Sequence, residues 1–203
     1  MKLTSFFLFL IFLGFLLPSQ AQITPQQHQK LVETARWLGS KRLAYASRWT
    51  PPGEKQSWVM DCSNTTRYLY QAALQKTLPR TASDQFYNLS QQNRITLAPQ
   101  RIDGTVDTAK LLKMMRSGDL LFWEWTYDIQ RRPPITHVMV YLGTTSNGTP
   151  KMAGSASRSM GEASGGGGPD VYIFDPNGPM GGVRSSFGKY IRKARFVGFG
   201  RPS

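Results

Sequence analysis

One cysteine occurs among 203 residues, and its position constrains the chain more than any other feature. Cys62 lies in the stretch from Trp58 to Tyr70, WVMDCSNTTRYLY, after the apolar run Trp58, Val59 and Met60. Beyond it Leu69, Ala72 and Ala73 fall on one face at helical spacing, which predicts a loop-to-helix junction with the cysteine at the helix start. Asp61 and Ser63 are both suited to cap that helix, and the unpaired N–H groups of a first turn, with the helix dipole, favour negative charge. A thiolate is such a charge, so the junction predicts a depressed thiol pKa and a nucleophilic sulfur. A small buried hydrophobe is the inert alternative.

The start of the chain decides what a lone cysteine means. Lys2, the 12-residue apolar run Phe6 to Leu17, and Pro18-Ser19-Gln20-Ala21 match the three regions of a secretory signal peptide over residues 1–21. The run is short against the ~20 residues that span a bilayer, so no stable membrane anchor is expected. Residues 22–203 are then expected to be exported, to a bacterial periplasm or the extracellular space. There an unpaired cysteine implies an intermolecular bridge or a free reactive thiol. Charge adds a second constraint: 25 basic side chains oppose 12 acidic ones for a net +13, and loss of Lys2 with the leader leaves +12. Such an excess implies a polyanionic neighbourhood. The basic residues are scattered rather than interleaved with aromatics, so no specific nucleic-acid partner is expected, and the anionic polymers of a bacterial wall are the other candidate.

The remaining chain, roughly 180 residues, is long enough for one domain with a sizeable core. Thr24 and Pro25 open a helical pattern in which Leu31, Ala35, Leu38 and Leu43 share a face. Thr50-Pro51-Pro52-Gly53 breaks it into a loop that leads to Cys62. Thr81 to Ser90 reads as a short helix or loop, and Thr108 to Arg116 as a helix stopped by Ser117-Gly118-Asp119. Strands are expected at Leu120 to Trp125, Thr136 to Leu142, Val171 to Phe174 and Arg195 to Phe199. The glycine- and serine-rich segment 153–169 is expected to be a mobile loop. Helices first and strands after them argue for an α+β domain, with N-terminal helices packed on an antiparallel β-sheet.

Thiol catalysis needs a base beside the sulfur. Only His28 and His137 exist. His28 lies in the glutamine-rich start of the first helix, whereas His137 opens a strand whose opposite face, Val138, Val140 and Leu142, is expected to be core. Too few histidines and cysteines are present for a protein zinc site, and no phosphate-binding loop occurs, so no metal or cofactor is expected. Asn64-Thr65-Thr66 satisfies the glycosylation rule, but a glycan there would crowd Cys62.

Four strings, Asp61-Cys62-Ser63, Leu78-Pro79-Arg80-Thr81, Ser117-Gly118-Asp119-Leu120-Leu121-Phe122 and His137-Val138-Met139-Val140-Tyr141-Leu142-Gly143, resemble the NlpC-type cysteine peptidases in order and rough spacing. These are papain-like bacterial cell-wall endopeptidases. The resemblance implies Cys62 as nucleophile and His137 as base. It also implies oxyanion donors at the Cys62 backbone N–H and the hydroxyl of Tyr45, the tyrosine that family members place upstream of the cysteine. The reaction it implies is hydrolysis of the amide between D-glutamate and a diamino acid in peptidoglycan stem peptides, by a monomer that needs no cofactor. The chain departs from the family at Asn64, where glycine is usual, and in a longer loop between Tyr45 and Cys62. The family's third polar residue, on the strand after His137, is also missing: the region reads Lys151-Met152-Ala153-Gly154-Ser155, so Ser155 or a backbone carbonyl is the expected orienter of His137. A thiol hydrolase of another amide or acyl bond, and an inactive wall-binding module, remain the alternative functions.

Overall fold

A computed structural model describes residues 23–46, 59–157 and 159–202. The expected leader, its cleavage point and the Thr50–Gly53 loop lie outside them. Helix α1 (Pro25–Ser40) starts at Thr24, whose hydroxyl accepts from the Gln27 N–H at 3.1 Å while the Gln27 side chain accepts from the Thr24 N–H at 2.9 Å. Its buried residues include Leu31, Ala35 and Leu38, as the helical spacing predicts. Leu43 is buried too, but beyond the helix end. Helix α2 (Cys62–Leu74) is capped by Asp61 and stops at Gln75, whose left-handed φ of 56° ends the helix before Pro79. Helix α3 (Ala82–Gln91) is capped by Thr81, and α4 (Thr108–Met114) by Asp107.

Eight strands complete the order, with β1 (Ile95–Leu97) between α3 and α4. After α4 come β2 (Leu120–Glu124), β3 (Ile135–Thr144), β4 (Pro150–Ala156), β5 (Gly168–Ile173), β6 (Gly182–Arg184), β7 (Tyr190–Lys193) and β8 (Arg195–Gly200). Six form one antiparallel sheet in the order β1-β8-β2-β3-β4-β5, and β6 pairs with β7 in a separate hairpin. The molecule is α+β, with the helices packed on an antiparallel sheet.

The sheet is buried on both faces, not on one. Val138, Val140 and Leu142 of β3 join Leu31, Leu38, Met60 and Leu69 in the core under the helices. Met139 and Tyr141, the alternate residues, join Leu111, Trp123, Phe174 and Phe196 in a second core. The chain around α4 closes that second face, so the strand pattern reads as a continuous apolar run.

The glycine-rich segment also differs from expectation. Ala153 to Ala156 is the buried end of β4, and β5 begins at Gly168, so only the middle of the segment is loop. Its small residues serve close packing: a Cβ on Gly154 would fall 2.0 Å from Met139 Sδ, and one on Gly168 1.9 Å from the Leu43 carbonyl oxygen. The loop itself is held by the buried Asp170, whose carboxylate accepts from the N–H groups of Ala163 at 3.0 Å and Ser164 at 2.7 Å.

Asp119, between α4 and β2, ties the first strand of the pattern to the last. Its buried carboxylate accepts from the Arg116 N–H at 2.8 Å and from Arg201 Nε and Nη2 at 2.7 and 2.8 Å. Burial pushes its pKa up, and the Arg201 guanidinium opposes that rise. Removing one partner of a buried pair leaves an uncompensated charge, so Arg201→Ala is expected to lower unfolding free energy by ~3 kcal/mol in a urea titration.

Candidate active site

Two local interactions deliver Tyr45 and Cys62 to the same place. The chain before α2 runs beside the segment after α1 through a parallel bridge between Ala44 and Val59, and Met60 N–H donates to the Ala44 carbonyl at 3.3 Å. Asp61 then turns the chain into α2: its side chain accepts from the Asn64 N–H at 2.7 Å and from the Ser63 hydroxyl at 3.1 Å. Arg80, from the loop before α3, closes this turn with a 2.8 Å ion pair to Asp61 and a 2.9 Å hydrogen bond to Ser63 Oγ.

Cys62 is the first residue of α2, and only 5% of it is exposed. The backbone N–H groups of Val138 and Ser63 and the Tyr45 hydroxyl act on its sulfur and lower the thiol pKa. Each favours a thiolate, as the helix position predicts. Burial outweighs all three, with the Asp61 carboxylate adding to it, and pushes the thiol from 9.0 up to about 11. The expectation of a depressed pKa is therefore corrected: desolvation in the core under the helices exceeds the pull of the helix end. Tyr45 keeps 37% of its surface exposed, but desolvation at the site and then Cys62 and Asp61 push its pKa up, so it stays a protonated donor.

His137 sits in β3 one residue before Val138, on the side of the sheet that faces Trp123, with ring centroids 5.7 Å apart at 67°. Burial lowers its pKa from 6.5 to about 4, opposed by Asp61. Both its Nε2 and the Trp123 Nε1 are buried without a hydrogen-bond partner among the described residues. Among the described residues, Asp61 acts on Tyr45, Cys62 and His137 together. Sequence reasoning cast Asp61 only as a cap, and its adjacency to the cysteine was the available signal.

Ser155 does not orient His137. Its buried hydroxyl donates to the Met60 carbonyl at 2.9 Å, on the helix side of the sheet. One residue on, Ala156 belongs to the core that contains Trp123 and Met139, the side on which the His137 ring lies. Alternation along β4 thus sends the serine to the wrong face and offers the ring a methyl group. Asn64 is fully buried in α2, so the sequon beside Cys62 cannot carry a glycan. His28 lies far from this cluster in role, bonded through Nε2 to the Leu142 carbonyl at 2.8 Å. Among the described residues no group of three metal-ligating side chains occurs, and no helix is long and apolar enough to cross a membrane.

The pKa shifts set two limits on stability. The folded pKa of His137 lies below its unfolded value, so the unfolded chain takes up the proton first as pH falls, and stability is lost from about 6.5 down to about 4. That lowered pKa corresponds to roughly 3 kcal/mol at full loss. Cys62 acts oppositely, since the unfolded thiol ionises first and stability falls as pH rises from 9.0 to about 11. His137→Gln is expected to flatten the acid limb in denaturant titrations across that window. Iodoacetamide should modify native Cys62 more slowly than free cysteine at pH 8, and the rate should climb until about pH 11.

The geometry agrees with the comparisons to known proteins. The NlpC/P60 family matches residues 48–159, more than half of the chain, a span that includes Cys62 and His137 and leaves out Tyr45. Among solved structures, a lipoprotein-like protein of the NLP/P60 family from Staphylococcus aureus is 19% identical with a TM-score of 0.46, covering 89% of this chain and 44% of its own. NlpC2 from Trichomonas vaginalis is 14% identical with a TM-score of 0.39, covering 88% of this chain and 48% of its own. The chain thus spans less than half the length of either structure. A search of curated proteins finds no match. On the family match and on the cysteine-bearing helix set against an antiparallel sheet, the chain belongs to the NlpC/P60 family.

Proposed function

We propose that the protein is an exported cysteine hydrolase that cleaves the D-glutamyl–diamino acid amide of peptidoglycan stem peptides. The observation that carries this reading is Cys62 at the N-terminus of α2, a helix packed on the strand β3 that carries His137 and Val138, whose N–H lowers the thiol pKa. At neutral pH burial keeps both the Cys62 thiol and the His137 imidazole uncharged. In the proposed reaction the sulfur attacks the amide carbon as His137 accepts its proton. The oxyanion that forms takes hydrogen bonds from the Cys62 backbone N–H and the Tyr45 hydroxyl, whose raised pKa keeps it protonated. Collapse breaks the C–N bond, the proton passes from His137 to the departing amine, and water then hydrolyses the thioester. The excess of basic side chains suits a substrate rich in carboxylates.

A second reading, a wall-binding module without turnover, is favoured by one observation: the Nε2 of His137 has no acceptor to hold the ring. Purified wall fragments incubated with the protein and analysed by mass spectrometry separate the two. Cleavage at the D-glutamyl amide, lost by ~10³-fold or more in Cys62→Ala and in His137→Ala, is the expected result. Binding of the same fragments with no new products would establish the module instead.

Ser155→Ala is expected to cost ~1–2 kcal/mol in stability, because it leaves the Met60 carbonyl without its buried donor, and to leave the pH profile of cleavage unchanged. With His137 as a base that is already neutral, kcat/KM should stay level as pH falls and drop only near pH about 4. A profile that falls near pH 6.5 would show an imidazole in ordinary solvent.

A further inference from the structure

The β6–β7 hairpin stands apart from the six-stranded sheet and beyond the residues that match the family. Its two sides differ in chemistry. On one, the Arg184 guanidinium lies 3.9 Å from the Tyr190 ring and donates to its hydroxyl at 2.6 Å, and the Arg192 guanidinium lies 3.8 Å from the Trp125 ring. On the other, Ile191 and Lys193 alternate with those residues and point outward, Ile191 with 70% of its surface exposed. At the tip Phe187 is 91% exposed, next but one to Lys189. No acidic residue follows Asp175 in the sequence, and none of the ion pairs among the described residues uses Arg184, Lys189, Arg192 or Lys193.

An exposed phenylalanine and isoleucine set among unpaired cations need an occupant that is both anionic and apolar. A soluble polyanion answers the charge and leaves Phe187 and Ile191 without a role. Single-stranded nucleic acid binds by stacking bases on open aromatic faces, and here the Trp125 and Tyr190 faces are taken by guanidinium groups. A second copy of the chain would set the same cations against each other. An anionic lipid bilayer satisfies both requirements, with phosphates for the cations and the headgroup–acyl boundary for the apolar tip.

We propose that the β6–β7 hairpin is a reversible docking surface for an anionic lipid bilayer, entered by Phe187 and Ile191 and held by Lys189 and Lys193. Trp125 carries Arg132 of its own loop as well as Arg192 of the hairpin, and Tyr127 of that loop acts electrostatically on Tyr45. The proposal is independent of turnover, so Cys62→Ala should dock as the parent does.

The test is cosedimentation with vesicles of phosphatidylcholine alone or mixed equally with phosphatidylglycerol. Exported protein is used, with its N-terminus verified by mass spectrometry so that parent and variants share one leader state. The parent is expected to pellet with the mixed vesicles and not with phosphatidylcholine. The double variant Phe187→Ser, Ile191→Ser should bind the mixed vesicles about tenfold more weakly, yet bind soluble polyphosphate as the parent does. Lys189→Glu with Lys193→Glu should weaken both. All four positions are exposed, so circular dichroism should show the parent fold in each variant. A parent that ignores the mixed vesicles, or a serine variant that binds them undiminished, would overturn the proposal.

Discussion

Contact between the N-terminus of α2 and strand β3 is the constraint on which the rest of the molecule depends. A helix end is normally a wet place, where free N–H groups meet water or a capping side chain. Here Asp61 takes the Asn64 N–H, Arg80 neutralises Asp61, and the helix end is pressed onto a strand whose side chains are core on both faces. Cys62 inherits the dryness of that contact. Its local dipoles and the surrounding dielectric pull its pKa in opposite directions, and the dielectric wins.

That balance explains what could be read from the sequence and what could not. The starts of α1 and α2 were legible because each carries its own cap, Thr24 with Gln27 and Asp61 with Asn64, whereas Thr81 to Ser90 read as a short helix or loop although Thr81 caps α3 in the same way. That the family is NlpC-type, with the Cys62 helix packed on the sheet, was legible from four short strings in order. Burial of the second sheet face was not, because the residues that cover Trp123 come from α4 and from strands far along the chain. Without that face the desolvation of His137 has no visible cause. Ser155 was misjudged for a related reason: its one-residue offset from Ala156 decides its face, and β-strand alternation only has meaning once the register is known. The hairpin β6–β7 left no pattern of alternation to find, since every residue of β7 is exposed.

Small residues in this chain mark places of contact as much as places of freedom. Gly39 and Gly161 both approach the carboxylate of Asp170, and a Cβ on either would lie within 2.3 Å of it. One buried acid is thereby shared by the end of α1 and by the loop between β4 and β5, which is how a segment of low complexity becomes a fixed wall of the domain.

The buried, protonated sulfur has a consequence for endurance. Peroxide and disulfide exchange attack the thiolate and need access to it, so a sulfur that keeps its proton to about pH 11 and is almost wholly covered meets oxidants slowly. Beyond the reducing interior of a cell a thiol has no reductant to restore it once it becomes a sulfinic acid. The same burial that keeps the Cys62 thiol protonated thus slows its oxidation.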